Sequence, residues 1–284
     1  EAEVTFAQAA LAYRAAEKST RFLAKIEDHW KDTPIRQITA GAVRAACMTL
    51  YPDAKGATRN RQVIVPTQAI INHAAELGWC APLKVKRFPV NAKVKAPATA
   101  EWVQAFAAEA SPHLGALCLF MFATAARISE GVRLAWGDVD LDARTAVLSG
   151  NKPKPWTRKV HLPPLVVAAL ANVPSNRDPA APVFGYAGAG SVKQPWDSVV
   201  QRADIERLTP HCCRHGFATT MLRKGFDVAT VAKLGGWKDA ATVLRTYAHA
   251  IEDRTLSDAV FSTPQAQAAP KKPVTNCKER TKRA

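Results

Sequence analysis

Apolar residues in the first part of the chain recur at intervals of three and four, the spacing of an amphipathic helix. The first two segments place them at Phe6, Ala9, Ala10, Tyr13 and at Phe22, Leu23, Ile26, Trp30. A third helix is predicted from the capping residue Thr39 to Leu50. A fourth is predicted over residues 57–77, with a kink at Pro66 and an end at Gly78. No alternation typical of strands competes, so residues 1–80 are predicted to form a small helical bundle.

Residues 81–98, APLKVKRFPVNAKVKAPA, break this pattern. They contain three prolines, five lysine or arginine residues and no acidic residue. This composition predicts an extended basic linker between two domains. Such a linker can simply favour solubility, but in a basic chain it is also suited to follow a phosphate backbone. Its candidate phosphate-contacting residues are Lys84, Lys86, Arg87, Lys93 and Lys95.

The pattern after the linker predicts a larger domain over residues 99–261. Its predicted elements are helices at 101–110 and 112–125, strands at 145–148 and 157–162, and further helices across 164–260. The loop between the two strands carries Lys152 and Lys154 at the tip of a β-hairpin. The predicted fold class is therefore mainly α with a small β-hairpin or sheet (α+β). Residues 262–284 are predicted to be a disordered basic tail.

Composition indicates a polyanionic partner. The chain has 284 residues, 48% of them hydrophobic, and a net charge of +15. Clustered lysine and arginine bind phosphates with release of counterions, so nucleic acid ranks ahead of an anionic membrane surface. No apolar run is long enough to span a membrane. The six cysteines show no repeated CxxC spacing, which indicates a reducing, cytoplasmic environment.

The segment HCCRHGFATTMLRKG at 211–225 predicts a helix that ends at its glycine. His211, Arg214 and His215 follow the spacing i, i+3 and i+4, so they share one face near the positive N-terminus of the helix. This face is suited to bind an anion. A zinc site is disfavoured, because the two adjacent cysteines point about 100° apart on a helix.

Four motifs follow one another along the second half of the chain. They are ARISE at 126–130, RKVHLP at 158–163 after the lysine-bearing hairpin, HCCRHGFATTML at 211–222, and LGGWKDAATVLRTYAH at 234–249. In this order and spacing, residues 100–255 resemble the catalytic domain of tyrosine recombinases, the phage integrase family. The helical residues 1–80 resemble, less specifically, the core-site-binding domain of that family. The resemblance implies a two-domain clamp around DNA.

Matched position by position, the resemblance implies a metal-free and cofactor-free phosphodiester chemistry. Arg127 and Arg214 correspond to two arginines that clamp the phosphate, and His211 to a further donor. Tyr247 corresponds to the nucleophile. Two guanidiniums can hold phosphate oxygens through paired hydrogen bonds, and a phenol can form a covalent phosphotyrosine that conserves the bond energy for rejoining. Taken alone, a tyrosine at this helical spacing is more often a packing residue.

The remaining implied residues surround this set. Lys152 corresponds to the hairpin lysine that protonates the leaving oxygen, with Lys154 competing for the same role. Trp237 fits a phosphate-facing indole and a buried core position equally well. Glu130 is expected to orient Arg127 or to cap a helix, and His215 to act behind Arg214 rather than on substrate.

The resemblance implies a site-specific recombinase of phage or prophage type. It would form a 3′-phosphotyrosine and a Holliday junction, as a homotetramer on double-stranded DNA attachment sites. Accessory DNA-bending proteins are possible partners, and the expected location is the bacterial cytoplasm or nucleoid. Two alternatives of the same fold are a catalytically silent DNA-binding regulator and a type IB topoisomerase-like nicking-closing enzyme. An RNA-binding or membrane-surface protein is less favoured, since no RNP-type aromatic strand or basic amphipathic helix is present.

Overall fold

A computed structural model describes residues 3–90, 96–150 and 156–247 of the chain. Contacts divide the chain into two compact units, Glu1–Val94 and Lys95–Ala284. The division falls inside the predicted linker 81–98. Four of the residues singled out by sequence lie outside the described residues, as does the predicted tail at 262–284; they are Lys93, Lys95, Lys152 and Lys154.

The first unit is helical. Its helices are α1 (Phe6–Ala15), α2 (Leu23–Trp30), α3 (Ala40–Leu50), α4 (Gly56–Arg59) and α5 (Val65–Glu76). The side chain of Thr39 accepts a hydrogen bond from the backbone N–H of Ala42 and so caps α3, as the sequence predicts. The predicted apolar stripes meet in one core, in which Phe6, Ile26 and Ile70 are fully buried. Phe22 is the exception, because it precedes α2 in a left-handed conformation and is only half-buried.

The predicted long helix at 57–77 contains a wide turn. Between α4 and α5 the five residues Asn60–Ile64 form a π-helical turn, and the axis continues into α5 through Pro66. Proline has no N–H to donate to the carbonyl four residues earlier, and its ring crowds that carbonyl. A π turn just before the proline relieves both problems. The irregularity therefore lies before Pro66 and not at it.

Residues 81–90, in the first half of the predicted linker, form no helix or strand but pack on the first unit. Both polar atoms of the Asn60 side chain bind the backbone of Phe88, with its N–H at 2.8 Å and its carbonyl at 2.9 Å. Gln68 and Asn72 on α5 accept the N–H groups of Val85 and Leu83. Three side-chain amides along one helical face therefore hold an extended chain.

This attachment sorts the side chains of residues 81–90. Val85 is buried, and Leu83 and Phe88 pack against the core of the first unit. The intervening Lys84, Lys86 and Arg87 are exposed. The segment therefore presents three cations to solvent from a fixed backbone.

The second unit combines eight helices among the described residues with a small sheet. The helices are α6 (Ala100–Glu109), α7 (Pro112–Thr124), α8 (Ile128–Gly131), α9 (Pro164–Ala171), α10 (Ala189–Arg202), α11 (His211–Arg223), α12 (Val228–Gly235) and α13 (Ala240–Tyr247). Its main core surrounds α7, where Leu117 and Phe120 are fully buried. A smaller cluster joins α11, α12 and α13 and contains Tyr247.

The sheet is antiparallel, with strands in the order β1 (Val139–Asp140), β2 (Thr145–Gly150) and β3 (Trp156–His161). The strands β2 and β3 form the predicted hairpin, and the short β1 adds an edge that the sequence did not predict. Gly150 pairs with Trp156 at the loop end of the hairpin. A Cβ at Gly150 would lie 1.9 Å from the indole nitrogen of Trp156, so glycine leaves the space into which the indole packs.

The mainly helical architecture with one small antiparallel sheet confirms the predicted fold class. Asp227 and Asp239 cap α12 and α13, since each accepts a backbone N–H from the residue three positions later. None of the helices within the described ranges is both long and apolar enough to cross a membrane.

Candidate active site

Five elements of the second unit meet where the sequence placed its candidate residues. Arg127 directly precedes α8, which contains Glu130, and Trp237 follows α12. His211, Arg214 and His215 lie on α11, and Tyr247 ends α13. Lys152 belongs to the hairpin loop outside the described residues, between the ends of β2 and β3. The other predicted site residues of this unit form one connected cluster.

Arg214 is buried within this cluster and is only 2% exposed. Its Nη1 donates to the carbonyls of Ala125 (2.5 Å) and Gly235 (2.6 Å). The guanidinium carbon lies 3.7 Å from the ring centroid of Trp237, in a cation–π contact. Trp237 itself is half-buried, so its indole both covers Arg214 and reaches the surface.

A second arginine, Arg158, has a side chain that is only 11% exposed and is a site residue that the sequence reasoning missed. It lies on β3 among inward-facing residues, and its Nη1 donates to the carbonyls of Thr124 (2.9 Å) and Leu234 (2.7 Å). The sequence does contain a sign of this burial: Arg158 alternates with the apolar Trp156 and Val160, so all three lie on the same face of a half-buried strand.

The two arginines bridge the same two chain segments. Their acceptors are consecutive carbonyls where α7 ends, at 124–125, and where α12 ends, at 234–235. The last carbonyls of a helix lack partners within it and carry the negative end of the helix dipole. Burying Arg158 and Arg214 between two helix C-termini therefore satisfies those carbonyls and partly compensates both positive charges.

Glu130 supplies the carboxylate of the cluster. It is 3% exposed, its Oε1 lies 2.5 Å from Nη1 of Arg127, and its Oε2 accepts the backbone N–H of Arg127 at 3.0 Å. The same Oε2 lies 3.6 Å from Nη2 of Arg158. Glu130 thus contacts both the side chain and the backbone of Arg127, while the Arg127 side chain remains 44% exposed.

The charges of this cluster do not balance among the residues just named. Three guanidiniums, those of Arg127, Arg158 and Arg214, face the single carboxylate of Glu130. Burial, together with repulsion by Arg127, lowers the pKa of Arg214 to about 10, while the charge of Glu130 acts in the opposite direction. Burial also lowers the pKa of Arg158. A cluster with this excess of positive charge favours the binding of an anion.

Tyr247 packs against the same group of residues. It is 3% exposed, and its ring centroid lies 5.9 Å from that of Trp237 and 5.4 Å from that of His215. Burial raises the pKa of its phenol to about 12, although the nearby charge of Arg214 acts in the opposite direction. His211 continues the row, with its ring 4.7 Å from that of His215.

A groove of about 820 Å³ opens beside this cluster. Its walls include Arg127, Arg158 and Trp237, and its rim carries Lys233 and Lys238. Much of its lining is apolar and includes side chains of α7 and α11. Across the described ranges, no group of three or more His, Cys, Asp or Glu side chains is placed to hold a metal ion. The groove thus offers the cations Arg127, Lys233 and Lys238 to an anionic ligand, and the buried phenol of Tyr247 lies behind Trp237 in its wall.

Comparison with known proteins places this unit in a family context. Residues 99–254 match the model of the phage integrase family. The chain is 30% identical to tyrosine recombinase XerC of Herpetosiphon aurantiacus over 146 residues, which cover 48% of this chain and 47% of the relative. It is 31% identical to tyrosine recombinase XerD of Bifidobacterium longum over 173 residues, 54% of each. The chain thus spans about half the length of the curated relatives it matches.

Solved structures share the fold over most of the chain. The Tn1549 transposon integrase in complex with a circular intermediate DNA has a TM-score of 0.71 at 16% identity, covering 92% of this chain and 100% of that one. The XerH site-specific recombinase bound to a palindromic difH substrate has a TM-score of 0.63 at 17% identity, covering 84% and 77%. At this identity the likeness shows a common fold.

Proposed function

The chain belongs to the phage integrase family, and from this premise we propose that it is a site-specific DNA recombinase that cuts and rejoins strands through Tyr247. The observation that carries the proposal is the packing of the Tyr247 ring against Trp237, whose indole covers the buried guanidinium of Arg214 in a cluster with excess positive charge. A DNA phosphate supplies the anion that this cluster favours. The phenol beside it supplies a nucleophile that needs no cofactor.

The proposed cleavage exchanges one phosphodiester bond for another. The Oη of Tyr247 bonds to the scissile phosphorus while the bond from phosphorus to O5′ breaks. The phenolic proton passes to a neighbouring base. Because its ring contacts Tyr247, we give this role to the His215 imidazole, in place of the supporting role behind Arg214 that the sequence suggested. The products are a 3′-phosphotyrosine and a free 5′-hydroxyl, and attack by a 5′-hydroxyl on the phosphotyrosine reverses the reaction.

The charge that develops on the non-bridging oxygens is assigned to the arginines. Arg127 is half-exposed in the groove and can bind a phosphate directly. Arg214 acts from beneath Trp237, and the indole N–H and His211 are proposed as further donors to the phosphate. The leaving O5′ takes its proton from a lysine of the hairpin loop, Lys152 or Lys154.

The DNA partner follows from charge as well as from the site. The net charge is +15, and Lys84, Lys86 and Arg87 project from a fixed backbone in the first unit. We assign these three residues, with Lys93 and Lys95, to contacts with the phosphate backbone. The relatives named above include an integrase and a recombinase bound to DNA, which supports double-stranded DNA as the substrate.

The proposed number of subunits rests on the number of strands that the reaction breaks. Exchange between two duplexes breaks four strands, and each break occupies one Tyr247, so we propose a homotetramer on two attachment sites. Breaking the strands in pairs takes the reaction through a Holliday junction. The phage or prophage origin, the use of DNA-bending partners and action in the bacterial cytoplasm are parts of the same proposal.

The deciding experiment traps the covalent intermediate. Labelled nicked duplexes from the DNA that flanks the gene are incubated with the protein in EDTA and resolved on a denaturing gel. We expect a protein–DNA band that survives SDS and disappears with Tyr247→Phe. Tyr186→Phe, which removes a hydroxyl elsewhere in the same unit, is the matched control and keeps the band.

The two alternatives give different results in the same experiment. Salt-sensitive DNA binding without a covalent band on any duplex contradicts the proposal and favours a catalytically silent regulator. A covalent band with relaxation of supercoiled plasmid, but without joining of two duplexes, favours a nicking-closing enzyme.

A further inference from the structure

Arg158 contacts Glu130 in addition to the two backbone carbonyls that it bridges. Its Nη1 already serves the carbonyls of Thr124 and Leu234. Its Nη2 points toward Oε2 of Glu130 but stops at 3.6 Å, and neither Nε nor Nη2 has a hydrogen-bond partner among the described residues. Buried N–H groups of a charged side chain are costly to leave unpaired.

The other carboxylate oxygen of Glu130, Oε1, contacts the exposed Arg127. Arg127 holds Oε1 at 2.5 Å and reaches into the groove. A phosphate bound in the groove competes with Glu130 for the Arg127 guanidinium. A carboxylate that is 3% exposed then needs a second counter-ion, because an unpaired buried charge is strongly unfavourable.

We propose that Arg158 is a positioning residue that takes over Glu130 when Arg127 turns to a phosphate. Closing the gap from 3.6 Å to hydrogen-bond distance gives Nη2 and Glu130 the partners they need. Its bonds to the ends of α7 and α12 fix Arg158 where this exchange is possible. The proposal rests on the proposed function for its catalytic consequence, while its effect on phosphate binding can be measured without DNA cleavage.

The first measurement compares two scissile groups in the covalent-complex assay. We expect Arg158→Met to slow formation of the complex about 10²-fold on an ordinary phosphate, the loss typical of a misplaced catalytic group. A methylphosphonate lacks one charged non-bridging oxygen and depends less on Arg127, so the loss on it is smaller. A purely structural role for Arg158 slows both substrates equally.

The second measurement uses inorganic phosphate as the probe, at constant ionic strength, and follows the rise in melting temperature. We expect about tenfold weaker phosphate binding in Arg158→Met, the effect of about 1.4 kcal/mol of lost coupling. Arg158→Lys keeps the charge and retains most of the affinity even if it is less stable. Adding Glu130→Gln to Arg158→Met restores binding, because no buried carboxylate then competes for Arg127.

The matched control is Arg202→Met, which removes another arginine that donates to a helix C-terminal carbonyl, that of Glu109. We expect it to keep both phosphate affinity and cleavage. If Arg158→Met binds phosphate as tightly as the unmodified protein, or if Glu130→Gln restores nothing, the proposal is overturned. Failure of the unmodified protein to form any covalent complex rejects the proposed function instead, and the phosphate measurements still decide the role of Arg158.

Discussion

Among single residues, Tyr247 shows how strongly its surroundings favour the neutral form of the proposed nucleophile. The phenol is buried beside Trp237 and His215, and burial raises its pKa to about 12, which favours the protonated form at neutral pH. The chemistry therefore needs a base at the moment of attack, or a DNA-bound state in which the phenol is better solvated. A reactive group that is neutral in the absence of substrate is also protected from side reactions.

This protonation state can be measured directly. We expect the absorbance difference at phenolate wavelengths between the unmodified protein and Tyr247→Phe to titrate with a midpoint near 12. In concentrated guanidinium chloride the same difference should titrate near the free-tyrosine value of about 10, because unfolding removes the burial. A midpoint at or below 10 in the folded protein contradicts this prediction and shows that the charge of Arg214 outweighs burial.

Between elements, the turn after α12 depends on two adjacent glycines. A Cβ at Gly235 would lie 1.8 Å from Cζ3 of Trp237, and Gly236 adopts a left-handed φ of +66° beside Arg158. The first glycine lets the indole fold back over Arg214. The second ends the helix and allows a buried arginine to approach the backbone.

Gly235→Ala is expected to displace the Trp237 ring from Arg214. We expect a loss of about 1–3 kcal/mol in the free energy of unfolding, the usual cost of overpacking a filled site, together with loss of the covalent band. Calorimetry and the denaturing gel provide the measurements. Gly190→Ala on α10 is the control: nothing lies within 4 Å of its Cβ, so it should be neutral or stabilising. Equal losses in the two variants contradict the argument.

Local signals in the sequence predicted most elements, and distant contacts account for the rest. Thr39, Asp227 and Asp239 each cap the helix that follows by accepting a backbone N–H from the residue three positions later. Their roles can therefore be predicted from the neighbouring sequence. The carbonyls that bind Arg158 lie 34 and 76 positions away, and no local pattern points to them. The same limit applies to Trp237, where sequence left core and phosphate-facing positions open. In the structure the indole covers a buried arginine and also lines the groove.

Across the whole molecule, the lysine and arginine side chains differ in whether a carboxylate is close enough to pair with them. Some are paired with carboxylates of the first unit, as Arg14 is with Glu27 and Lys31 is with Asp28. Others, such as Lys84 and Lys86, stand exposed on residues 81–90, and the sequence of that segment contains no acidic residue. Sequence predicted the charge of this segment. The amides that fix it to α5 came only with the tertiary structure.

Only the exposed cations of residues 81–90 should contribute fully to DNA binding, because a cation that is paired with a carboxylate already has its counter-ion. Replacing Lys84, Lys86 and Arg87 by alanine is expected to lower the slope of log affinity against log salt by about 2.7, if each contacts one phosphate. The matched control replaces three cations of the same unit that are ion-paired in the structure, Arg14, Lys18 and Lys31. Its slope should change much less, although both variants lose the same formal charge. Equal slopes for the two variants, measured by fluorescence anisotropy on a random duplex, show that net charge alone and not the fixed position of residues 81–90 determines how the chain holds DNA.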